Sequence, residues 1–238
     1  MYKFLLRPKW IAFHLLVIAM VVIMINLAIW QVHRLQQRSD FNDQVRANQS
    51  EDIRPFNAVL TKAANIDDIE WLPVSVQGEY VAGTELTLVN VSQYGTAGVD
   101  LLAVMTLADG TQVLVNRGFV PLALEPPPTP TGTQTVIGYL RRSAQHRAGS
   151  VDNATEGTLT EIQRIDIPRL DEQIDGDLAP MYVQSLTDTN VAPFPVAPPV
   201  LENGPHLSYA IQWCIFSICA IGGWVLVVSK ATSKLRAA

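Results

Sequence analysis

The stretch 205–228, PHLSYAIQWCIFSICAIGGWVLVV, decides how the rest of the chain is read. From Leu207 to Val228 it runs 22 residues without a charge. At about 1.5 Å per residue, such a helix reaches roughly 33 Å, enough for a hydrocarbon layer of about 30 Å. Its entrance is less ordinary: His206, Tyr209 and Trp213 stand there, and crossing lipid requires none of them.

A second uncharged run, Ile11–Ile29, covers 19 residues and is bracketed by Trp10 and Trp30, which suits an interfacial aromatic belt. The two runs account for much of the 48% hydrophobic content of this 238-residue chain. All 22 acidic residues lie between Asp40 and Glu202, and residues 31–206 hold 11 Lys or Arg, a net charge of −11. The other six basic residues, Lys3, Arg7, Lys9, Lys230, Lys234 and Arg236, lie outside the two runs with no acid among them. Basic flanks favour the cytoplasm, so both termini are expected there and the acidic middle across the membrane. Arg34, Arg38 and Arg46, just past the first run, are the counter-signal. Cleavage after Ala28 would put Asn26 where a signal peptidase wants a small residue, so the first run reads as a retained anchor. The expected organisation is a cytoplasmic N-terminus (1–10), a span (11–30), an extracytoplasmic domain (31–205), a second span (206–228) and a basic cytoplasmic tail (229–238).

Within the middle region, residues 31–50 read as a continuation of the first helix, and residues 53–71 as a second short helix started near Pro55. From Leu72 the period changes to two: PVSVQGEYV, ELTLVNVS, GVDLLAVMTL, TQVLVNRGFV and TQTVIGYLRR read as strands. Asp109-Gly110 between two apolar runs predicts a hairpin. EGTLTEIQRIDI and MYVQSL are weaker strand signals. Proline-rich linkers are expected at 121–130 and 191–205, the latter as a semi-rigid spacer into the second span. The fold class is therefore membrane α+β: a two-helix hairpin bracketing one domain with an antiparallel sheet or small barrel and short helices.

Enzymatic signatures are missing: there is no phosphate loop, His-Glu-x-x-His, Gly-x-Ser-x-Gly or Cys-x-x-Cys. The acidic domain argues against nucleic acid, and His146, beside Arg141, Arg142 and Arg147, reads as a surface residue. Both cysteines, Cys214 and Cys219, lie in the second run and read as packing residues, so the domain folds without disulfides. His14 reads as a residue snorkelling to the cytoplasmic face, and Asn26 as a hydrogen-bonding link to the other helix. On a helix starting near Pro205, His206, Tyr209, Trp213 and Phe216 form one stripe, with the small Ala210, Cys214 and Ser217 beside it. That pattern suits a flat macrocycle with imidazole as axial ligand. It also suits helix packing for the small residues and an interfacial belt for Tyr209 and Trp213.

Five segments occur in order: FLLRPKWIAFHLLVIAMVVIMINLAIWQVHRLQQR, GEY, LVNRGFVP, GYLRR and PHLSYAIQWCIFS. Together they resemble the surfeit-one family, membrane proteins that assist cytochrome c oxidase assembly. The resemblance implies a non-enzymatic factor that binds haem a transiently and helps insert it into the oxidase catalytic subunit. The implied partners are that subunit, the haem a synthesis machinery and membrane lipid. It also implies His206 as the tentative axial ligand to haem iron, with Tyr209, Trp213, Trp30 and Arg34 around the cofactor and Arg34 facing the propionates. Gln31, Gly78, Tyr80, Asn116, Arg117 and Gly118 match family motifs, and the sequence does not choose whether Arg117 pairs inside the domain or contacts a partner. His33, the other juxtamembrane histidine, reads as solvated, with a second axial ligand as the alternative. Because Met1 lies close to the first span, a bacterial inner membrane is expected, with the central domain periplasmic. The rival expectation is a cofactor-free chaperone that clamps an oxidase subunit intermediate.

Overall fold

A computed structural model describes residues 3–144, 149, 151–188 and 190–237; His146 and Arg147 lie outside them. After a short 3-10 turn (Lys3–Leu6) the elements are α1 (Pro8–Gln49), β1 (Arg54–Pro55), α2 (Phe56–Lys62), β2 (Pro73–Tyr80), β3 (Leu86–Gln93), β4 (Thr96–Leu107), β5 (Gln112–Pro121), β6 (Thr133–Arg142), β7 (Glu161–Ile162), α3 (Ile167–Asp171), β8 (Met181–Ser185) and α4 (His206–Ala237). They fall into two compact units, one of Met1–Gln44 with Val200–Ala238 and one of Val45–Pro199.

In the helical unit, α1 and α4 are each long and apolar enough to cross a membrane. α1 continues unbroken past Ile29, as its helix-forming residues predict. Along it, His14, Val17, Val21, Met24, Ala28 and Gln31 are the more buried positions; on α4 they are His206, Ala210, Trp213, Ser217, Ala220 and Trp224. Both series advance by alternating threes and fours, the spacing of two helices meeting along one seam. Leu15, Ile18, Ile25 and Ile29 on α1, and Ile211, Ile218 and Leu226 on α4, point away from it and are exposed.

The polar residues of this unit differ from three expectations. His14 does not snorkel: the Trp224 indole Nε1–H donates to its Nδ1 at 2.9 Å, inside the seam. Asn26 does not bridge the helices but donates to the Val22 carbonyl of its own helix at 2.8 Å, because it lies off the seam. Cys214 and Cys219 are exposed for the same reason and do not pack between the helices.

In the β unit, β2, β6, β8, β5 and β4 follow one another, and β4 pairs again with β2, so five strands close into a barrel. β3 and β7 extend the β4 side, and β1 lies beside β2. The sheet is not wholly antiparallel: β5–β8, β1–β2 and β3–β7 run parallel. The hairpin at Asp109-Gly110 forms between β4 and β5, with Gly110 N–H donating to Leu107 O at 2.9 Å. Alternate residues of these strands serve two cores. Met105, Val113 and Val115 face a core with Val74, Val76, Leu140 and Phe56. Val104 and Leu114 face another with Ile162, Leu170 and Tyr182. The closure brings β2 and β4 together at Gly78, where a Cβ would stand 2.2 Å from the Thr106 carbonyl oxygen.

Two loop-like segments differ from their sequence reading. The second helix is only α2; beyond it, the Asn65 side chain accepts the Asp67 N–H and offers the backbone a turn in place of a helix. The linker after β8 is not a free spacer: Phe194 exchanges two backbone hydrogen bonds with Phe119, at 2.7 and 2.8 Å. Gln93 holds the same segment by donating to Pro195 O and accepting from Ala197 N–H.

Candidate functional site

α4 begins at His206, directly after Pro205, with the Pro205 carbonyl accepting from Tyr209 N–H and from the Ser208 hydroxyl. The chain reaches this point through Gly204, which adopts φ +67°. Asn203 accepts a 2.9 Å hydrogen bond from the fully buried Asn42 of α1, pinning the approach to the helix. Gln31, on the seam of α1, places its amide oxygen 2.8 Å from His206 Nδ1. An amide oxygen only accepts, so Nδ1 carries the proton and donates. In the neutral ring Nε2 then keeps its lone pair, and no hydrogen bond to it occurs among the described residues. Gly204 passes beside that edge: a Cβ there would lie 3.6 Å from Nε2, so the absent side chain leaves the nitrogen uncovered.

The expected stripe divides. Trp213, Ala210 and Ser217 turn into the seam with His206, whereas Tyr209 and Phe216 face outward, 47% and 44% exposed. Trp213 meets Phe216 edge-on at 5.9 Å. The spacing i, i+3, i+7 had joined residues that the real seam, spaced by alternating fours and threes, separates. On α1, Trp30 is exposed and Arg34 donates to Gln37 one turn on; no hydrogen bond ties either to His206 among the described residues. His33 is exposed. Of the residues singled out from sequence, Gln31 is hydrogen-bonded directly to His206.

A second constellation lies in the β unit, where the motif residues of β2 and β5 meet. The β4–β5 register shifts at Leu101/Leu102, opposite Asn116–Gly118. Gly118 takes φ +129° there, and a Cβ on it would stand 2.3 Å from Phe194 O. Asn116 is buried and uses both ends of its amide: Nδ2 donates to Asp100 Oδ2 at 2.9 Å and Oδ1 accepts from Gly118 N–H at 3.0 Å. Burial raises the Asp100 carboxyl above its ordinary value, and the Asn116 hydrogen bond only partly opposes this. Between Asn116 and Gly118, Arg117 projects outward, its guanidinium 5.9 Å from the centre of the Tyr80 ring. It donates to Thr129 Oγ1 at 2.9 Å and to Pro128 O at 2.8 Å. Burial lowers its pKa and raises that of Tyr80. Sequence reasoning found Arg117 but not Asp100, whose role needs the β4–β5 register. Nor did it find the partners of Gln31 and His14, which need the register between two helices far apart in the chain. Among the described residues, no group of three His, Cys, Asp or Glu is placed to hold a metal ion.

A small barrel closed by a glycine contact, strung between two long apolar helices with a pinned histidine at the start of the second, defines a class of apolar-helix-bracketed barrel proteins. The SURF1 family model matches residues 18–218, most of the chain including part of each long helix, and the chain belongs to that family. It is similar to an uncharacterized SURF1-like protein of Mycobacterium tuberculosis, 29% identical over 224 residues, covering 91% of this chain and 82% of the relative. A SURF1-like protein of Monosiga brevicollis is 25% identical over 232 residues, covering 90% and 86%.

Proposed function

We propose that this protein is a non-enzymatic assembly factor that holds haem a transiently through His206 and passes it to the catalytic subunit of cytochrome c oxidase. The observation that carries the reading is the 2.8 Å contact between Gln31 Oε1 and His206 Nδ1, which in the neutral ring leaves the Nε2 lone pair open to a metal. The residues fit a haem on that ground: the ring is partly buried, its tautomer is set, and Gly204 leaves the ligating edge uncovered. When bound, haem a supplies the redox-active iron of the oxidase; this chain contributes the His206 imidazole to hold it. One protein ligand and an open side favour release over storage. Outward-facing Tyr209 and Trp30 offer apolar surface at the same level, and Arg34, one turn beyond Gln31, supplies a cation for propionates.

In this reading α1 and α4 cross a bacterial inner membrane, both termini are cytoplasmic and the barrel is periplasmic. The outward apolar faces of both helices and the basic residues outside the spans support that orientation. The partners are then the oxidase subunit and the haem a synthesis machinery.

The test is to produce the full chain with and without haem a synthesis and record the absorption spectrum after purification. Stoichiometric haem a in the parent and its loss in His206→Ala is the expected result. Unchanged haem in the variant would remove His206 from the role. The unused aromatic faces of Tyr209 and Phe216 favour a second reading, a cofactor-free clamp on a subunit intermediate. That reading expects the oxidase subunit to co-purify even when haem a synthesis is blocked.

A further inference from the structure

The β unit satisfies its arginines with carboxylates. Arg54 pairs with Glu51, Arg141 with Glu70, Arg142 with Glu70 and Asp67, Arg164 with Asp152 and Asp166, and Arg169 with Glu172. Arg117 is different. It is half-buried in an acid-rich region, yet makes no ion pair with a carboxylate among the described residues. A guanidinium has five N–H donors, and the proline-loop contacts use two of them. Burial opposes its charge more than Tyr80 and Glu85 favour it from a distance, and two neutral acceptors return only part of that cost.

The guanidinium borders a cavity of about 170 Å³. Tyr80, Gln134, Ser185 and Thr187 also line it, with two prolines as walls, and no acidic residue is among the lining groups. A cavity of about 150 Å³ takes a guest the size of benzene, so this one admits a carboxylate on a short stem and is far too small for a macrocycle. The Tyr80 hydroxyl makes no hydrogen bond among the described residues, and the face of its ring holds the guanidinium in position. The bulge and the strained Gly118 together turn Arg117 out of the barrel wall toward this cavity.

We infer that Arg117 and Tyr80 form a carboxylate-binding site that takes an acidic side chain of a protein partner. The guanidinium supplies the charge and the fork, and the phenol supplies a further donor. The site is independent of His206 and does not need the haem reading to hold.

The experiment uses the full chain in detergent micelles with 15N-labelled arginine. The Arg117 Nε–Hε resonance is assigned by its loss in Arg117→Lys. Acetyl-glutamate amide is titrated against acetyl-glutamine amide, which differs only in charge. A saturable shift in the millimolar range with the glutamate compound, absent with the glutamine compound, is expected. The Tyr80 ring resonances report the same titration in Arg117→Lys, where the apparent affinity falls about tenfold because the fork is lost. Absence of a saturable shift in the parent, or an equal shift with the glutamine compound, overturns the site. Displacement of the glutamate compound by equimolar protoporphyrin IX would assign the carboxylate to a porphyrin and overturn the peptide assignment. The parent chain itself carries the readout, so a variant that fails to fold does not blunt the test.

Discussion

In the helical unit most large apolar side chains point away from the seam, and polar groups meet between the two segments: Trp224 with His14, Gln31 with His206, Asn42 with Asn203. In the β unit the reverse holds. Valine, leucine and methionine fill two interior cores, and several arginines pair with carboxylates nearer the surface. One chain thus obeys two burial rules, and the proposed placement of the helices in a membrane explains the difference. Helices in lipid gain nothing by hiding leucine and associate through close packing and polar contacts. A barrel in water is held by hydrophobic burial.

The sharpest way to break this comparison is one substitution made in both units. Gly118→Ala adds a Cβ where φ is +129° and the Phe194 carbonyl stands 2.3 Å away, so it should cost about 3 kcal/mol or more. Gly222→Ala meets nothing within 4 Å and should stay within about 0.5 kcal/mol. Denaturant titration of the full chain in micelles, followed by tryptophan fluorescence, compares them. Similar losses would mean that the two units are not held by different rules.

Next in size is the buried pair in the barrel wall. Asn116→Leu leaves Asp100 buried without its donor and should cost about 2–3 kcal/mol by the same titration. The Asp100 carboxyl titrates above its unfolded value, so the folded state binds its proton more tightly. Its contribution to stability is therefore most favourable below the unfolded value of 3.8 and is lost as pH rises through the raised folded value. Asp100→Asn removes that titration, so stability measured against pH should show the variant gaining on the parent as pH rises through this window. A constant difference across the window would mean that Asp100 carries no raised pKa.

A smaller effect is expected in the helical seam at Gln31. Gln31→Leu keeps the packing volume but frees His206 Nδ1, and should weaken haem binding about tenfold in a spectrophotometric titration, as loss of a ligand's orienting partner does. An unchanged affinity would show that the contact orients nothing. Smallest of all, Trp224→Phe deletes the donor to His14 and should cost about 0.6 kcal/mol of helix–helix stability, read by unfolding in mixed micelles. A loss as large as that of Asn116→Leu would erase the contrast between the units.

The same contrast governs what could be read from the residues. The long helices were plain because an uncharged run of 19 or 22 residues has few other uses, and Asp109-Gly110 announced its hairpin. β8 was faint because all five of its residues are buried, which removes the alternation that marks a half-exposed strand. Barrel closure and the parallel β5–β8 pairing depend on contacts between distant segments and leave no local trace. At the site, His206 stood out by its place at the head of an apolar run, but its partner lies 175 residues earlier and only the packed helices reveal it. Cys214 was grouped with the small residues of the seam because a periodicity is legible without its phase, and it turned out to face outward. Asp100 looked like any strand carboxylate until the register set it against Asn116.

The state of the His206 ring tests the account most directly. The full chain, labelled with 15N-histidine and held in lipid nanodiscs, would be examined by nitrogen NMR before and after adding diamagnetic zinc protoporphyrin, with His206→Ala identifying the signals. The prediction is a protonated Nδ1 and a lone-pair Nε2 in the free protein, with the Nε2 resonance alone moving strongly on addition. A ring protonated at Nε2, or one indifferent to the metalloporphyrin, would contradict it.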